Sequence, residues 1–331
     1  MKKNIFLIVL FFVLLIGIGY QAEAKTGNTP LNAMSKGYIG NPCRSGNNIY
    51  YSVYNKLYKY NVSSKKNTLV RTFEGFSLSS INIYNKKIIF VINNYMGTGG
   101  EISNIYSTNL KGKKLKKLAR GSNCTVVNGE VYYLKTKVIN SSDWVEGISK
   151  MKLNGKKKKM LRKGTASNMA IYRGRIFFNT SNSGIYSMKM DGTNQRIEAN
   201  GSITGFSGEY IYYSSYNGDS AYIDRKLIGG TEGEYVLSGV YGAAVEGDYI
   251  YYVIKKQTAY NKPPNVELYK KNIKTGKTEK IYKGSGLGNP FICGDYLYFN
   301  KYLGNERQNF QAVIMNNKGK KVKKLVKCFL S

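Results

Sequence analysis

The chain contains no histidine. That removes the commonest general base, the commonest zinc ligand and any Ser–His or Cys–His pair. Only 19 Asp and Glu residues are present. Asp191, Asp248 and Asp295 stand beside turn glycines, where Asp is a structural choice. Neither a DxDxDG calcium loop nor a phosphate-binding glycine loop is present. Cys43, Cys124, Cys293 and Cys328 include no CxxC pair, so a zinc or redox site is not expected. Buried apolar thiols are the simplest reading of the four; if they pair, three disulfide connectivities remain open. No cofactor or metal is expected. An enzyme would have to rely on carboxylates gathered from separate loops.

The residues that could bind are of two other kinds. Tyr95, Trp144, Tyr216, Tyr260 and Tyr302 lie in polar stretches, with Asp143, Asp219 and Arg307 nearby. Flat rings there could stack on a sugar or a peptide, or simply pack back on the scaffold. The second kind is cationic. Lys and Arg total 51, for a formal net charge of +32. Lys113, Lys114, Lys116 and Lys117 form one cluster, and Lys156, Lys157, Lys158 and Lys159 a second. Lys320, Lys321, Lys323 and Lys324 form a third. Such fields attract anionic polymers and surfaces with strong salt dependence. Lysines on exposed edge strands also block aggregation. Phosphate attraction alone reads no base sequence, so sequence-specific nucleic-acid recognition is not expected.

What must position these residues is a repeat. Seven triplets recur: Ile49-Tyr50-Tyr51, Ile88-Ile89-Phe90, Val131-Tyr132-Tyr133, Ile176-Phe177-Phe178, Ile211-Tyr212-Tyr213, Ile250-Tyr251-Tyr252 and Leu297-Tyr298-Phe299. Their starts are 39, 43, 45, 35, 39 and 47 residues apart. Gly46, Asn85, Gly129, Gly174, Gly208, Gly247 and Gly294 precede them as hairpin turn residues. A third strand, a second turn (Asn154-Gly155 and Asp191-Gly192 among them) and a fourth strand complete each unit. Successive apolar residues mark strands buried on both faces. A period of this length with two hairpins predicts an all-β propeller of seven four-stranded blades, with six as the alternative; a sandwich or solenoid fits less well. Both end units look complete, so no strand need be exchanged between the termini.

The segments 210–214 and 185–194 resemble two halves of the blade motif of low-density-lipoprotein-receptor-related propellers. Across residues ~38–328 the chain is similar to a secreted bacterial propeller family of unknown function. The receptor motif runs Tyr-Trp-Thr-Asp; here the Trp is Tyr or Phe and the Asp is lacking. The resemblance implies the fold and no catalytic residues. Lys-, Asn-, Ile- and Tyr-rich usage also resembles secreted proteins of AT-rich Gram-positive bacteria.

Lys2 and Lys3, the apolar run from Ile5 to Ile16 and Ala22-Glu23-Ala24 read as a signal peptide over 1–24, too short for a spanning helix. A short lead over 25–37 and a propeller over 38–331 follow. Within the repeat, the turns joining strands one to two and three to four are tight and share one face. The connections from strand two to strand three (93–103, 135–147, 214–222, 255–266 and 301–309) are expected to be long loops on the other. There they would carry the aromatic candidates as a ligand face. The lysine clusters fall on the third-to-fourth-strand hairpins and the outer strands. Glu198, Glu232 and Glu234 interrupt them in blades four and five. The expected function is a secreted, monomeric, non-enzymatic binding module at the cell surface. Its basic rim would attract an anionic wall polymer or membrane surface, and its loop face a saccharide or protein. The alternative is a polysaccharide- or peptide-processing enzyme.

Overall fold

The computed structural model describes residues 42–96, 100–140, 142–217, 220–256, 263–303, 309–320 and 322–328. Residues 1–24, expected above as a signal peptide, and the expected lead 25–37 lie outside them. Among the described residues there is no helix. Among the described residues, twenty-eight strands form seven antiparallel four-stranded blades, over 43–72, 77–120, 122–163, 167–200, 202–240, 242–285 and 291–328, the fifth and sixth joined along their inner strands. Each blade uses four strands consecutive in sequence, so seven blades replace the six-bladed alternative, and among the described residues no strand crosses from one end of the chain to the other.

The triplets lie on the second strand of each blade. They are buried throughout, except that Tyr213 is half-buried. Side chains alternate across a strand, so neighbouring residues of one triplet serve different seams. Tyr50 joins Leu57, Ile81, Ile88 and Phe90 between blades one and two. Ile49 and Tyr51 instead join Tyr298, Phe310 and Ile314 between blades seven and one. Seven such clusters occupy the seven seams. Each fully buried Tyr or Phe contributes about 1.5–3 kcal/mol.

The ring closes through side chains. Tyr51 and Tyr298 lie 5.5 Å apart between ring centroids. Arg44 pairs with Asp295 at 3.4 Å and sits over the Tyr296 ring. Cys43, Cys124 and Cys293 are buried thiols on inner strands. Burial pushes Cys124 up to about 12 and Cys293 well above the usual thiol range.

Three of the expected long loops are instead paired strands. In blade two, Lys87–Met96 and Gly100–Asn109 stay in register out to Met96 and Gly100. In blade three, Glu130–Ile139 and Ser142–Lys152 pair out to Ile139 and Ser142, with a bulge between Lys135 and Thr136. In blade five, Tyr210–Asn217 and Ser220–Leu227 pair out to Asn217 and Ser220. In blade three the ends of this ribbon are exposed or half-exposed on successive residues. Where the covered residues are polar, as Thr136 and Asn93 are, the apolar alternation that marks strands in sequence is missing.

Candidate functional site

The outer rim is built by the turn between strands three and four. Here Asn or Asp side chains hold the backbone. The Asn109 carboxamide oxygen accepts from the amides of Lys111 and Lys113, that of Asn154 from Lys156, and that of Asn316 from Lys318 and Lys320. Asp191 accepts from the Thr193 amide in the same way. Such side-chain acceptors replace part of the strand ladder and fix a tight turn. Lysines then fill the positions that face solvent.

Lys113, Lys114, Lys116 and Lys117 are exposed, as are Lys156 to Lys159 and Lys320, Lys323 and Lys324. Lys321 lies outside the described residues. Among the described residues none of these lysines forms an ion pair; the Lys116 ammonium donates to the Asn154 carbonyl at 3.0 Å, joining blades two and three. Blade six differs. Lys274 pairs with Asp248 at 2.9 Å and Lys280 with Glu267 at 2.9 Å. With Tyr269 and Lys280 donating to it, the Glu267 carboxyl is held down at about 2.

Glu198 is not a rim charge. It is fully buried, accepting from Ser187, from Arg196 at 2.8 Å, and from the Gly229 amide of blade five at 2.7 Å. Buried carboxylates need such pairing. The sequence position resembles a surface one because the outer strand turns one residue inward, where the register shifts between Ile185 and Tyr186. Glu234 is on the rim, and it is matched by Arg225 through two bonds of 2.9 and 2.7 Å. The basic stretch therefore gives way in blades four and five to matched pairs.

On the opposite face the projecting hairpins carry the aromatic candidates. Trp144 lies opposite Lys137 near the tip of the blade-three hairpin and is 56% exposed. Its neighbour Asp143 is turned inward. One oxygen accepts from the Ser103 amide of blade two at 2.6 Å, while the other is buried, 4.0 Å from Arg120. Asp143 thus fastens the hairpin to the next blade. Tyr302 is half-buried and ends the second strand of blade seven, Tyr296–Tyr302. Tyr95 and Tyr216 belong to paired strands, opposite Glu101 and Ala221. Asp219, Tyr260 and Arg307 lie outside the described residues. The structure therefore puts Trp144 on an open surface and gives Asp143 a fastening role that sequence reading missed; nothing in the residue order distinguishes the two.

One inner-strand carboxylate was also missed. Glu246 ends Gly242–Glu246 of blade six, and burial raises its carboxyl to about 7. Part of the residue reaches solvent by area, but the carboxylate is enclosed by protein and burial governs its ionisation. Among the described residues there is no cluster of His, Cys, Asp and Glu that could hold a metal.

No protein-family model matches the chain, and no curated protein matches it. Solved structures do resemble it. The propeller domain of the Trilobed protease from Pyrococcus furiosus, described as having an open velcro topology, superposes with a TM-score of 0.59 at 13% identity, over 89% of this chain and 99% of that one. A puromycin-hydrolyzing peptidase of Mycobacterium tuberculosis gives 0.59 at 11% identity over 91% of this chain. The acylaminoacyl peptidase of Pyrococcus horikoshii gives 0.55 at 13% over 90%. The chain spans 55% and 53% of the length of these two peptidases. At such identities the likeness defines an all-β propeller and nothing about chemistry.

Proposed function

We propose that the protein is a secreted, non-enzymatic propeller that binds at the cell surface. The reading rests on the uncompensated lysines of blades two, three and seven. They are exposed, held out by side-chain-capped turns, and matched by no carboxylate among the described residues, whereas cations of blades four, five and six have carboxylate partners. A one-sided cationic rim attracts an anionic polymer over a distance set by ionic strength. Wall polymers, anionic lipid and acidic polysaccharide are its natural partners. The hairpin face, with Trp144 exposed, would then meet a saccharide or a protein. The test is sedimentation of protein lacking residues 1–24 with cell-wall fractions across a salt series. Retention at low salt and release at high salt is expected; salt-insensitive binding, or none, overturns the reading.

A second reading is a polysaccharide- or peptide-processing enzyme. One observation favours it: the Glu246 carboxyl, raised to about 7, has the value suited to a general acid or base near neutral pH. Loss of product release from envelope polysaccharide or peptide in Glu246→Gln would support it. Absence of any turnover by the unaltered protein would remove it.

A further inference from the structure

The seams between blades repeat one contact. In five of the seven blades the glycine in the third-to-fourth-strand turn rests on the outer strand of the blade before it. Gly112 meets Val70, Gly155 meets Leu118, Gly192 meets Leu161, Gly229 meets Arg196 and Gly319 meets Ile281. Between blades seven and one, Val62 of the corresponding turn packs on the same core cluster as Leu325 and Val326. The seam between blades five and six departs from this. A Cβ on Gly276 would meet nothing within 4 Å.

At the inner end of this same seam the blades come unusually close. The inner strands pair in parallel, Gly205 with Val245 and Phe206 with Glu246. A side chain at Gly205 would run into the Val245 carbonyl. The blades thus touch at the channel and stand apart at the rim. The space between them is a cleft of about 350 Å3, within the size range of small-molecule sites.

Its floor is Tyr212 and Ile250; Tyr235 and Val236 line one wall, and Lys271, Lys274 and Thr275 the other. The Tyr212 residue is 1% exposed, and among the described residues its buried hydroxyl has no acceptor for its proton. The Arg225 guanidinium, paired with Glu234, also reaches the hydroxyl oxygen, but only as a donor. A guanidinium cannot accept, so the hydroxyl proton points to an acceptor from outside the chain. Of the three cations in the cleft, Arg225 is matched by Glu234 and Lys274 by Asp248. Lys271 has only the Val236 carbonyl, at 3.3 Å. One positive charge is left over. Tyr235, 64% exposed, offers a ring at the mouth.

We propose that this cleft binds a sugar unit carrying a single carboxylate, a uronic-acid residue. The carboxylate would meet Lys271 and accept from the Tyr212 hydroxyl. The C–H face of the ring would lie on Tyr235, and Thr275 would meet the hydroxyls. A single unmatched cation balances a monoanion and leaves a phosphate dianion half-neutralised. The cleft lies on the turn face, away from the hairpin that carries Trp144, so it does not depend on the ligand of that hairpin.

The test is calorimetric titration of the protein lacking residues 1–24 with galacturonate and glucuronate and their short oligomers. The methyl esters and glucose 6-phosphate serve as controls. Saturable binding of a uronate is expected, at least tenfold weaker for its methyl ester and for the phosphate. Lys271→Met and Tyr235→Ala should each weaken it by tenfold or more at unchanged melting temperature. Trp144→Ala and a variant with Lys156 to Lys159 changed to Ser should bind the monosaccharide as before. The proposal fails if neither uronate binds saturably, if the methyl ester binds equally well, or if both cleft variants retain full affinity. Should the rim variant lose wall binding while monosaccharide binding is absent throughout, the rim reading stands and the cleft assignment falls.

Discussion

The backbone amide of Ser103 in blade two donates to the Asp143 carboxylate of blade three at 2.6 Å. A side chain near the tip of one hairpin thereby satisfies a main-chain donor on its neighbour. In Asp143→Ala, the buried Ser103 amide loses its partner, at a cost of about 1–3 kcal/mol. Chemical denaturation should show a lower midpoint at an unchanged slope.

Trp144 is the adjoining residue, and its substitution should have the opposite signature. With the ring 56% exposed, Trp144→Ala should alter stability by no more than about 0.5 kcal/mol. Binding of the saccharide or protein held by the hairpin face should fall. Unchanged retention by cell-wall fractions at intermediate salt, where the rim is only partly released, would count against that face.

The turn glycines predict a contrast between two equivalent positions. Gly276 and Gly319 both have φ of +71°. Alanine at either strains the backbone by about 1 kcal/mol. At Gly319 a methyl group must also displace the Ile281 backbone, while at Gly276 it enters open space. Gly319→Ala should therefore lower the melting temperature clearly more than Gly276→Ala. Equal losses would mean that the two seams are packed alike.

How far the chain could be read follows from the same contrast. The triplets were legible because both faces of their strands are buried, which leaves apolar residues in unbroken succession. The hairpin of blade three reads as a loop because Lys135 and Lys137 are exposed while its covered side chains, Thr136 and Asp143, are polar. Asp143 and Trp144 looked alike as loop residues; only the position of Ser103 in a different blade separates fastening from display. Gly276 is preceded by Lys274 and Thr275, an ordinary turn. Its open seam depends on blade five, some forty residues earlier. Glu198 looked like an interruption of the rim because the amide that buries it, from Gly229, also belongs to another blade.

Glu246 predicts a pH dependence. Its carboxyl is raised from the usual range to about 7 in the folded chain, so the folded state binds a proton that the unfolded state has released. Stability should be full below about pH 4.5 and decline as the pH rises through about 7. The loss is at most about 3 kcal/mol. Glu246→Gln should flatten this decline when urea midpoints are compared at pH 5 and pH 8.

Rim binding should depend on charge number rather than on any single lysine. Changing Lys156, Lys157, Lys158 and Lys159 together to Ser should lower retention on cell-wall fractions at low salt and flatten the salt dependence. The folded state should be unchanged, since none of the four is buried or ion-paired among the described residues. Loss of binding with the salt slope intact would point to a specific contact instead.

The turn glycines also impose an order of events on a chain made from its N-terminal end. The outer strand of a blade stays uncovered until the following blade has formed its second hairpin. Each blade is thus finished by its successor: Val70 waits for Gly112, Leu118 for Gly155, Leu161 for Gly192 and Arg196 for Gly229. The growing ring always presents one unfinished edge. The last edge, bearing Leu325 and Val326, packs on a core cluster shared with Val62, Ile49 and Tyr51, residues made long before. Blade one therefore has to hold its shape through the synthesis of the other six, which makes its stability on its own the property on which ring closure depends.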